Sequence, residues 1–224
     1  MISRAELNNR PFLQLILLLS LCLISVVLFS VVGGVLAAII YDFNPSNINN
    51  LAAPNVIEGM KMFQLFSAVG LFVVPPLTYG LVASKKPFEK LSLATLNKPL
   101  NYLYIFILMV MLTPFLSWII EINANMVLPD FLSGVEQWMR ESERKAENLT
   151  KAFLTFNGVG SLIYMMIVVA VVPAIGEELL FRGVLQKIMI AWTKNPHIGI
   201  WITAFLFSAL HMQFFGFFPR MLLG

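Results

Sequence analysis

The hydrophobic residues of this chain lie in long, nearly uninterrupted runs separated by polar stretches. A helix that crosses a bilayer needs about 20 predominantly apolar residues. The pattern predicts an all-α, polytopic membrane helix bundle with about five complete transmembrane helices, in a single membrane domain over residues 1–224. The five runs cover residues 12–40, 62–83, 102–120, 159–176 and 198–218.

A further apolar run begins close to the C-terminus. Pro219 suits the first turn of a helix, and the chain stops five residues later, at Gly224. We therefore expect the start of a sixth membrane helix and a C-terminal truncation of the sequence.

The long polar segment between the third and fourth runs has apolar residues at helical spacing. Over residues 131–156 the charged residues fall between these apolar positions, which is typical of an amphipathic helix at the membrane interface or against the bundle. A solvated connector is the alternative interpretation. The apolar positions are Val135, Trp138, Met139, Ala146, Leu149 and Phe153, and the charged ones are Glu136, Arg140, Glu141, Glu143, Arg144 and Lys145.

The composition indicates a membrane protein. Hydrophobic residues make up 58% of the 224 residues and charged residues 12%, whereas soluble domains are about half apolar and a quarter charged. The lipid bilayer is therefore an expected partner, and the cell membrane is the expected location. The net charge of +3 includes no basic block, so no nucleic-acid partner is expected.

The distribution of Lys and Arg predicts the orientation. Cytoplasmic loops carry an excess of these residues, and the N-terminus and the loop 84–101 are rich in them, whereas the segment 41–61 has only Lys61. We expect a cytoplasmic N-terminus, with the segment 122–158 on the opposite face. The cations at the two basic sites are Arg4, Arg10, Lys85, Lys86, Lys90 and Lys98.

Two adjacent carboxylates and an arginine follow directly on the fourth apolar run. Charged residues at membrane depth cost about 2.5–3.5 kcal/mol each on insertion scales and usually mark function. Glu178 and Arg182 are four residues apart on one helix face, in the favoured order for an ion pair. Glu177 is rotated by about 100° and is left on another surface as a candidate general base. Pro173 lies four residues before Glu177 and is expected to kink the helix near the acids.

The fifth run carries a histidine near its end. Phe207 and His211 are four residues apart, hence on one helix face. Histidine can exchange a proton near neutral pH or bind a metal, and one hairpin connects this helix to the helix with the glutamates. The spacing favours a buried acid/base site with one histidine. His197, in the connecting loop, is expected to be a solvated residue.

Glu177-Glu178-x-x-x-Arg182 followed by Phe207-x-x-x-His211 resembles the first two motifs of the CPBP family (CAAX protease and bacteriocin-processing proteins, also called Abi). That family contains the type II CAAX prenyl endopeptidases. The resemblance implies an intramembrane protease that hydrolyses peptide bonds of membrane-associated peptides or proteins with a glutamate/histidine-activated water. Prenylated peptides, bacteriocin leaders and unmodified membrane proteins all stay open as substrates.

The resemblance covers residues 159–224 and implies a role for each matched residue. Glu177 would be the general base, His211 its partner in activating water, and Glu178 and Arg182 would hold the site together. We expect the carboxylate of Glu177 and the imidazole of His211 to face one polar cavity, about 5–6 Å apart, the span of two hydrogen bonds in series. The family's third motif, which supplies oxyanion donors, needs a further histidine, and none follows His211.

Two cofactor predictions stay open because family members are often labelled metalloendopeptidases. A catalytic zinc site takes three protein ligands and one open position, and the candidate ligands are Glu177, Glu178 and His211. That reading requires a divalent metal such as zinc, whereas the glutamate/histidine mechanism requires no cofactor. The sequence contains no HExxH motif, and the metal-free mechanism is favoured.

Two other classes of function fit the same polar residues. An ion-coupled membrane transporter would use Glu177, Glu178, Arg182 and His211 as a proton relay. Many such transporters are built from repeats, and this sequence shows none. A catalytically silent membrane scaffold or bacteriocin-immunity protein on the same fold would keep the helices without the chemistry.

Overall fold

The computed structural model describes residues 4–48, 50–51, 53–87, 91 and 100–224. Within these ranges the regular elements are helices and no strand occurs, which confirms the predicted all-helical membrane bundle. Among the described residues, four helices are long and apolar enough to cross a membrane, namely α2 (Pro11–Tyr41), α3 (Pro54–Ala83), α4 (Leu100–Ala124) and α6 (Val159–Thr193). The other helices are α1 (Arg4–Asn8), α5 (Ser133–Phe153), α7 (Pro196–Leu210) and α8 (Phe217–Leu223).

Three predicted spans differ from the helices that form, and the first of them, 62–83, begins eight residues after the start of α3 at Pro54. The run 159–176 is only the first half of α6, which has 35 residues, because charged side chains end a hydropathy run but not a hydrogen-bonded helix. The run 198–218 is divided, since α7 ends at Leu210 and Met212 adopts the left-handed conformation (φ 52°). The 15 residues of α7 cover about 22 Å, less than the ~30 Å of a bilayer's hydrocarbon core.

Internal contacts divide the chain into two compact units. Unit 1 comprises the described residues of Met1–Leu93 and Asn148–Gly199, and unit 2 those of Ala94–Glu147 and Ile200–Gly224. Unit 1 therefore holds α1, α2, α3 and α6, and unit 2 holds α4 and α8.

In unit 1 the long helices approach each other closely at glycines. A Cβ atom added to Gly33 of α2 would lie 2.6 Å from the Cβ of Phe66 in α3. One added to Gly70 of α3 would lie 2.6 Å from the Cβ of Phe29 in α2. Small residues at such crossings let two backbones come together, and van der Waals packing of this kind drives helix association in lipid.

Buried polar groups fasten the same helices at one end of unit 1. The hydroxyl of Tyr79 donates to Oε1 of Gln14 (2.8 Å), and Nε2 of Gln14 donates to the carbonyl of Leu7 (3.1 Å). Nε of Arg4 donates to the carbonyl of Val82 (3.1 Å). The N-terminal helix and the C-terminal end of α3 therefore lie at the same end of this unit.

The predicted basic loop begins at that end. Lys85 and Lys86 follow the last residue of α3, Ala83. Lys90 and Lys98 lie outside the described residues. The orientation of this end towards the cytoplasm stays a prediction.

Lys61 lies near the opposite end of α3 and is completely buried. Its Nζ donates to Oε1 of Glu58 (2.8 Å) and to the carbonyl of Thr155 (3.1 Å). The sequence pattern assigned this cation to the loop 41–61, whereas the structure places it inside a helix that begins at Pro54. Its charge is therefore neutralised by a carboxylate within the protein.

In unit 2, Asn123 near the end of α4 holds the turn that follows α7. Its Nδ2 donates to the carbonyl of Phe214 (2.9 Å), and its Oδ1 accepts from the backbone N–H of Phe218 (3.2 Å). The side chain is almost fully buried. One carboxamide thus satisfies a carbonyl of the turn and an N–H in the first turn of α8, which fixes the turn against α4.

The first turn of α5 is fixed by Glu136. Its carboxylate accepts hydrogen bonds from the backbone N–H of Leu128 (2.9 Å) and from Nε of Arg140 (2.8 Å). These two bonds lower the pKa of Glu136 below its ordinary value of 4.5. The guanidinium of Arg140 also lies 4.7 Å above the ring of Phe215. The helix predicted over 131–156 therefore forms, with an ion pair and a cation–π contact at its start.

Candidate active site

Glu177 lies at the middle of α6 and lines a cavity of about 260 Å³ inside unit 1. Val26 and Ala68 share this cavity and lie at the middle of α2 and α3. The cavity therefore lies about midway along three helices that are long and apolar enough to cross a membrane. An ionisable residue within such a helix usually marks function. Its lining residues are Val26, Gln64, Ser67, Ala68, Leu71, Phe72, Pro173 and Glu177.

Glu178 and Arg182 form the ion pair that their spacing predicts. Nη1 of Arg182 lies 2.9 Å from Oε1 of Glu178, and the two side chains are 49% and 59% exposed, respectively. The pair is therefore open rather than buried. It lines a larger cavity, of about 480 Å³, together with Leu91, Ala174, Ile175, Leu179 and Gly183.

The two glutamates thus line different cavities, as the rotation between successive helix residues predicts. A common zinc ion would need both carboxylates and a third ligand at bonding distance, yet Oε1 of Glu178 is engaged by Arg182. Within the described ranges, no group of three or more His, Cys, Asp or Glu side chains is placed to hold a metal. The two glutamates therefore do not fit the zinc site that the metalloendopeptidase label implies.

The helix α6 widens on both sides of Glu177. Ile167–Val171 and Glu178–Leu185 are π-helical, and Val172–Glu177 between them is α-helical. Local π turns help to satisfy the backbone groups that a proline releases in a membrane helix, and they occur frequently at functional sites. Pro173 lies two residues after the first π segment. The helix therefore has a wider turn next to the proline, at the place where the sequence predicted a change in its geometry.

Gly176 brings α6 against α3 beside the acid. A Cβ atom at Gly176 would lie 2.6 Å from the Cβ of Phe72. Phe72 belongs to Val69–Val73, which is also π-helical and precedes Pro75. A widened turn of α3 therefore packs directly against the segment that presents Glu177.

In unit 2, the ring of His211 is held by Phe207. Nδ1 of His211 lies 2.8 Å from the carbonyl oxygen of Phe207, and the two rings meet edge to face with centroids 4.9 Å apart. A carbonyl oxygen can only accept, so Nδ1 carries the proton and Nε2 is the basic nitrogen of the neutral ring. The Phe-x-x-x-His spacing thus has a physical basis, because one residue sets both the tautomer and the ring orientation.

The turn that carries His211 is fixed by its neighbours in unit 2. The buried hydroxyl of Ser208 donates to the carbonyl of Phe217 (2.6 Å). Nη2 of Arg220 donates to Oε1 of Gln213 (2.6 Å). The imidazole therefore stands on a hydrogen-bonded turn and not at a fraying helix end.

Glu177 belongs to unit 1 and His211 to unit 2. Their convergence on one polar cavity stays a prediction. His197 is exposed in the first turn of α7, with its backbone N–H bound to Oδ1 of Asn195 (2.9 Å). It is solvated, as expected, although it lies in a helix and not in a loop.

Sequence reasoning missed Gln64 and Ser67, which line the same cavity as Glu177. The available signal was weak. They are polar residues three positions apart within the apolar run 62–83, and residues with that spacing share a helix face.

The family model described as type II CAAX prenyl endopeptidase Rce1-like matches residues 159–224. This segment is less than a third of the chain and contains both motifs. No curated protein and no solved structure matches the chain. The resemblance to the CPBP family is thereby confirmed over this segment, and residues 159–224 of this membrane protein are similar to the type II CAAX prenyl endopeptidases.

Proposed function

We propose that the protein is an intramembrane endopeptidase of the CPBP/CAAX type, acting on membrane-associated peptides or proteins. The observation that carries the proposal is the position of Glu177 in a cavity about midway along three long apolar helices, inside the segment that matches the family. A carboxylate is retained within an apolar helix where a function outweighs its cost.

In the proposed reaction Glu177 removes a proton from water. The resulting hydroxide adds to the scissile carbonyl carbon, a C–O bond forms, and the π electrons of the carbonyl move to its oxygen. When this tetrahedral intermediate collapses, the C–N bond breaks and protonated Glu177 returns the proton to the departing amine. His211 is proposed to accept a hydrogen bond from the second O–H of the water at Nε2, the nitrogen that its bond with Phe207 leaves basic, and this O–H bond stays intact during the attack.

Glu178 and Arg182 are proposed to position the acid rather than to react. Their ion pair restrains the π-helical turn that begins immediately after Glu177. The cavity beside the pair is otherwise lined by apolar residues and glycine, which suits a hydrophobic peptide. The family description makes a prenylated peptide the first substrate class to test.

The function is tested with the protein in proteoliposomes and a fluorogenic farnesylated peptide that ends in Cys-aliphatic-aliphatic-X. Glu177→Gln keeps the size of the side chain but cannot accept a proton, so we expect kcat to fall by about 10²-fold or more. Thermal stability should stay at the wild-type value. Glu141→Gln, on the exposed face of α5, is the matched control and should cleave normally.

Normal cleavage by Glu177→Gln would contradict the assignment of the base. Proton flux across the same liposomes without peptide cleavage would favour the transporter. Absence of both signals in the wild-type protein would favour the silent scaffold.

A further inference from the structure

The cavity of Glu177 contains a donor that the proposed reaction has not yet used. Its polar lining side chains are Gln64, Ser67 and Glu177, and the other lining residues are apolar. The hydroxyl of Ser67 lies 2.8 Å from the hydroxyl of Ser30 in α2, which ties it to that helix. Gln64 is therefore the lining residue that brings N–H donors to the cavity, two of them on one carboxamide.

Gln64 places a carboxamide within an otherwise apolar part of α3. It lies one turn before Ala68, at the centre of α3, and it is half-buried. Among the residues that the structure describes, its side chain makes no hydrogen bond, whereas the carboxamides of Gln14 and Asn123 are both engaged by the protein. A half-buried carboxamide that lines the cavity of the proposed general base can offer its N–H groups to a bound ligand.

The chemistry of amide hydrolysis identifies what such a donor would bind. When hydroxide adds to the scissile carbonyl, negative charge develops on the carbonyl oxygen. A neutral, preorganised N–H in a site with few waters stabilises that charge, and side-chain amides are among the groups that serve as such donors. Gly176 holds α6 against α3 at this cavity, so the acid and the carboxamide are presented by two closely packed helices.

Resting on the proposed function, we propose that Gln64 is a catalytic residue whose side-chain N–H donates a hydrogen bond to the oxyanion formed by the water that Glu177 activates. The bond is absent from the uncleaved substrate and forms with the tetrahedral intermediate. Its loss should therefore lower kcat and leave the affinity for the uncleaved peptide nearly unchanged.

The test compares Gln64→Met, which keeps the length of the side chain without its donors, with Gln186→Met as the matched control, since Gln186 lies in α6 outside the residues that line the cavity. With the farnesylated peptide in proteoliposomes we expect kcat of Gln64→Met to fall by about 10²–10³-fold. KM and the thermal midpoint should stay close to the wild-type values. Unchanged kcat, or a higher KM at normal kcat, would overturn the proposal.

A second measurement separates this inference from the proposed function. A phosphinic analogue of the peptide, in which a tetrahedral P–O⁻ replaces the scissile amide, mimics the oxyanion without turnover. Gln64→Met should bind this analogue about 10²-fold more weakly, and should bind the uncleaved peptide as the wild type does. Equal binding of the analogue by both proteins would exclude the donor role, even if no cleavage were seen with any variant.

Discussion

At the residue scale, one helix gives two adjacent glutamates different surroundings. Glu177 is turned towards α3 and a small cavity about midway along the helices. Glu178 is turned towards a larger cavity, where it pairs with Arg182. We infer that the first is the reacting group and the second a positioning group, because the two carboxylates line different cavities and the acid of the smaller cavity lies beside the carboxamide of Gln64.

The open ion pair predicts only a small effect on stability. Solvent-exposed pairs contribute about 0–1 kcal/mol, whereas breaking a buried pair costs about 3–5 kcal/mol. Both side chains are about half exposed and line a cavity, and we expect water to reach them there, so Glu178→Gln and Arg182→Ala should each lower the free energy of unfolding by less than about 1 kcal/mol. Chemical denaturation in detergent measures this, with Lys145→Ala, which removes an exposed pair with Glu141, as the control. A loss of several kcal/mol would show that the pair is closed off from water.

The spacing of residues predicted this pair but not its surroundings. Contacts between residues four apart follow from helix geometry alone. The exposure of the pair and the presence of Gln64 beside Glu177 depend on how α3 packs against α6, which local spacing does not encode.

At the element scale, the site depends on close packing of α6 against a widened turn of α3. Gly176 allows this contact, because a Cβ atom there would overlap the Cβ of Phe72, an atom that cannot rotate away. The contact lies next to Glu177, so the same glycine sets the helix separation at the cavity.

Enlarging Gly176 should therefore disturb both stability and the cavity. We expect Gly176→Leu to lower the free energy of unfolding by about 1–3 kcal/mol, the usual cost of overpacking. Gly160→Leu is the matched control in the same helix, since nothing lies within 4 Å of a Cβ atom at Gly160. The two variants are compared by thermal unfolding and by cleavage. Equal stability of both variants would contradict the close contact.

Hydropathy located the four long apolar helices of the described residues, but three of its runs do not coincide with the helices that form. The run 159–176 stopped at the glutamates, although the backbone continues as a helix to Thr193. The run 198–218 continued through residues that form a turn, because the aromatic residues after Met212 are apolar whether or not they are helical. Hydropathy reports the preferred solvent of a side chain and says little about backbone hydrogen bonds.

At the scale of the whole molecule, the predicted orientation concerns the two ends of unit 1. Arg4 contacts the last turn of α3, whereas Thr155 contacts Lys61 near the start of that helix. The N-terminus and residue 155 are therefore at opposite ends of the unit. A cytoplasmic N-terminus would therefore put residue 155 on the external side, and the sidedness itself stays a prediction.

Cysteine labelling tests the sidedness. In a Cys22→Ala background, Lys145→Cys should react with a membrane-impermeant maleimide in intact cells, because Lys145 is exposed on α5. Lys86→Cys, beyond the end of α3, should react only after lysis. The reverse pattern would invert the topology and leave the fold unchanged.

The buried Lys61 has a consequence for the order in which the membrane protein is assembled. Its second partner, the carbonyl of Thr155, is 94 residues further along the chain. The ribosome therefore completes α3 before it synthesises that partner. During insertion the ammonium has Glu58, three residues earlier on the same helix, as its local counter-charge. Because the two charges cancel, the helix can enter the bilayer without net charge. The ammonium of Lys61 can then donate its second hydrogen bond, to the carbonyl of Thr155, after that later segment has been synthesised.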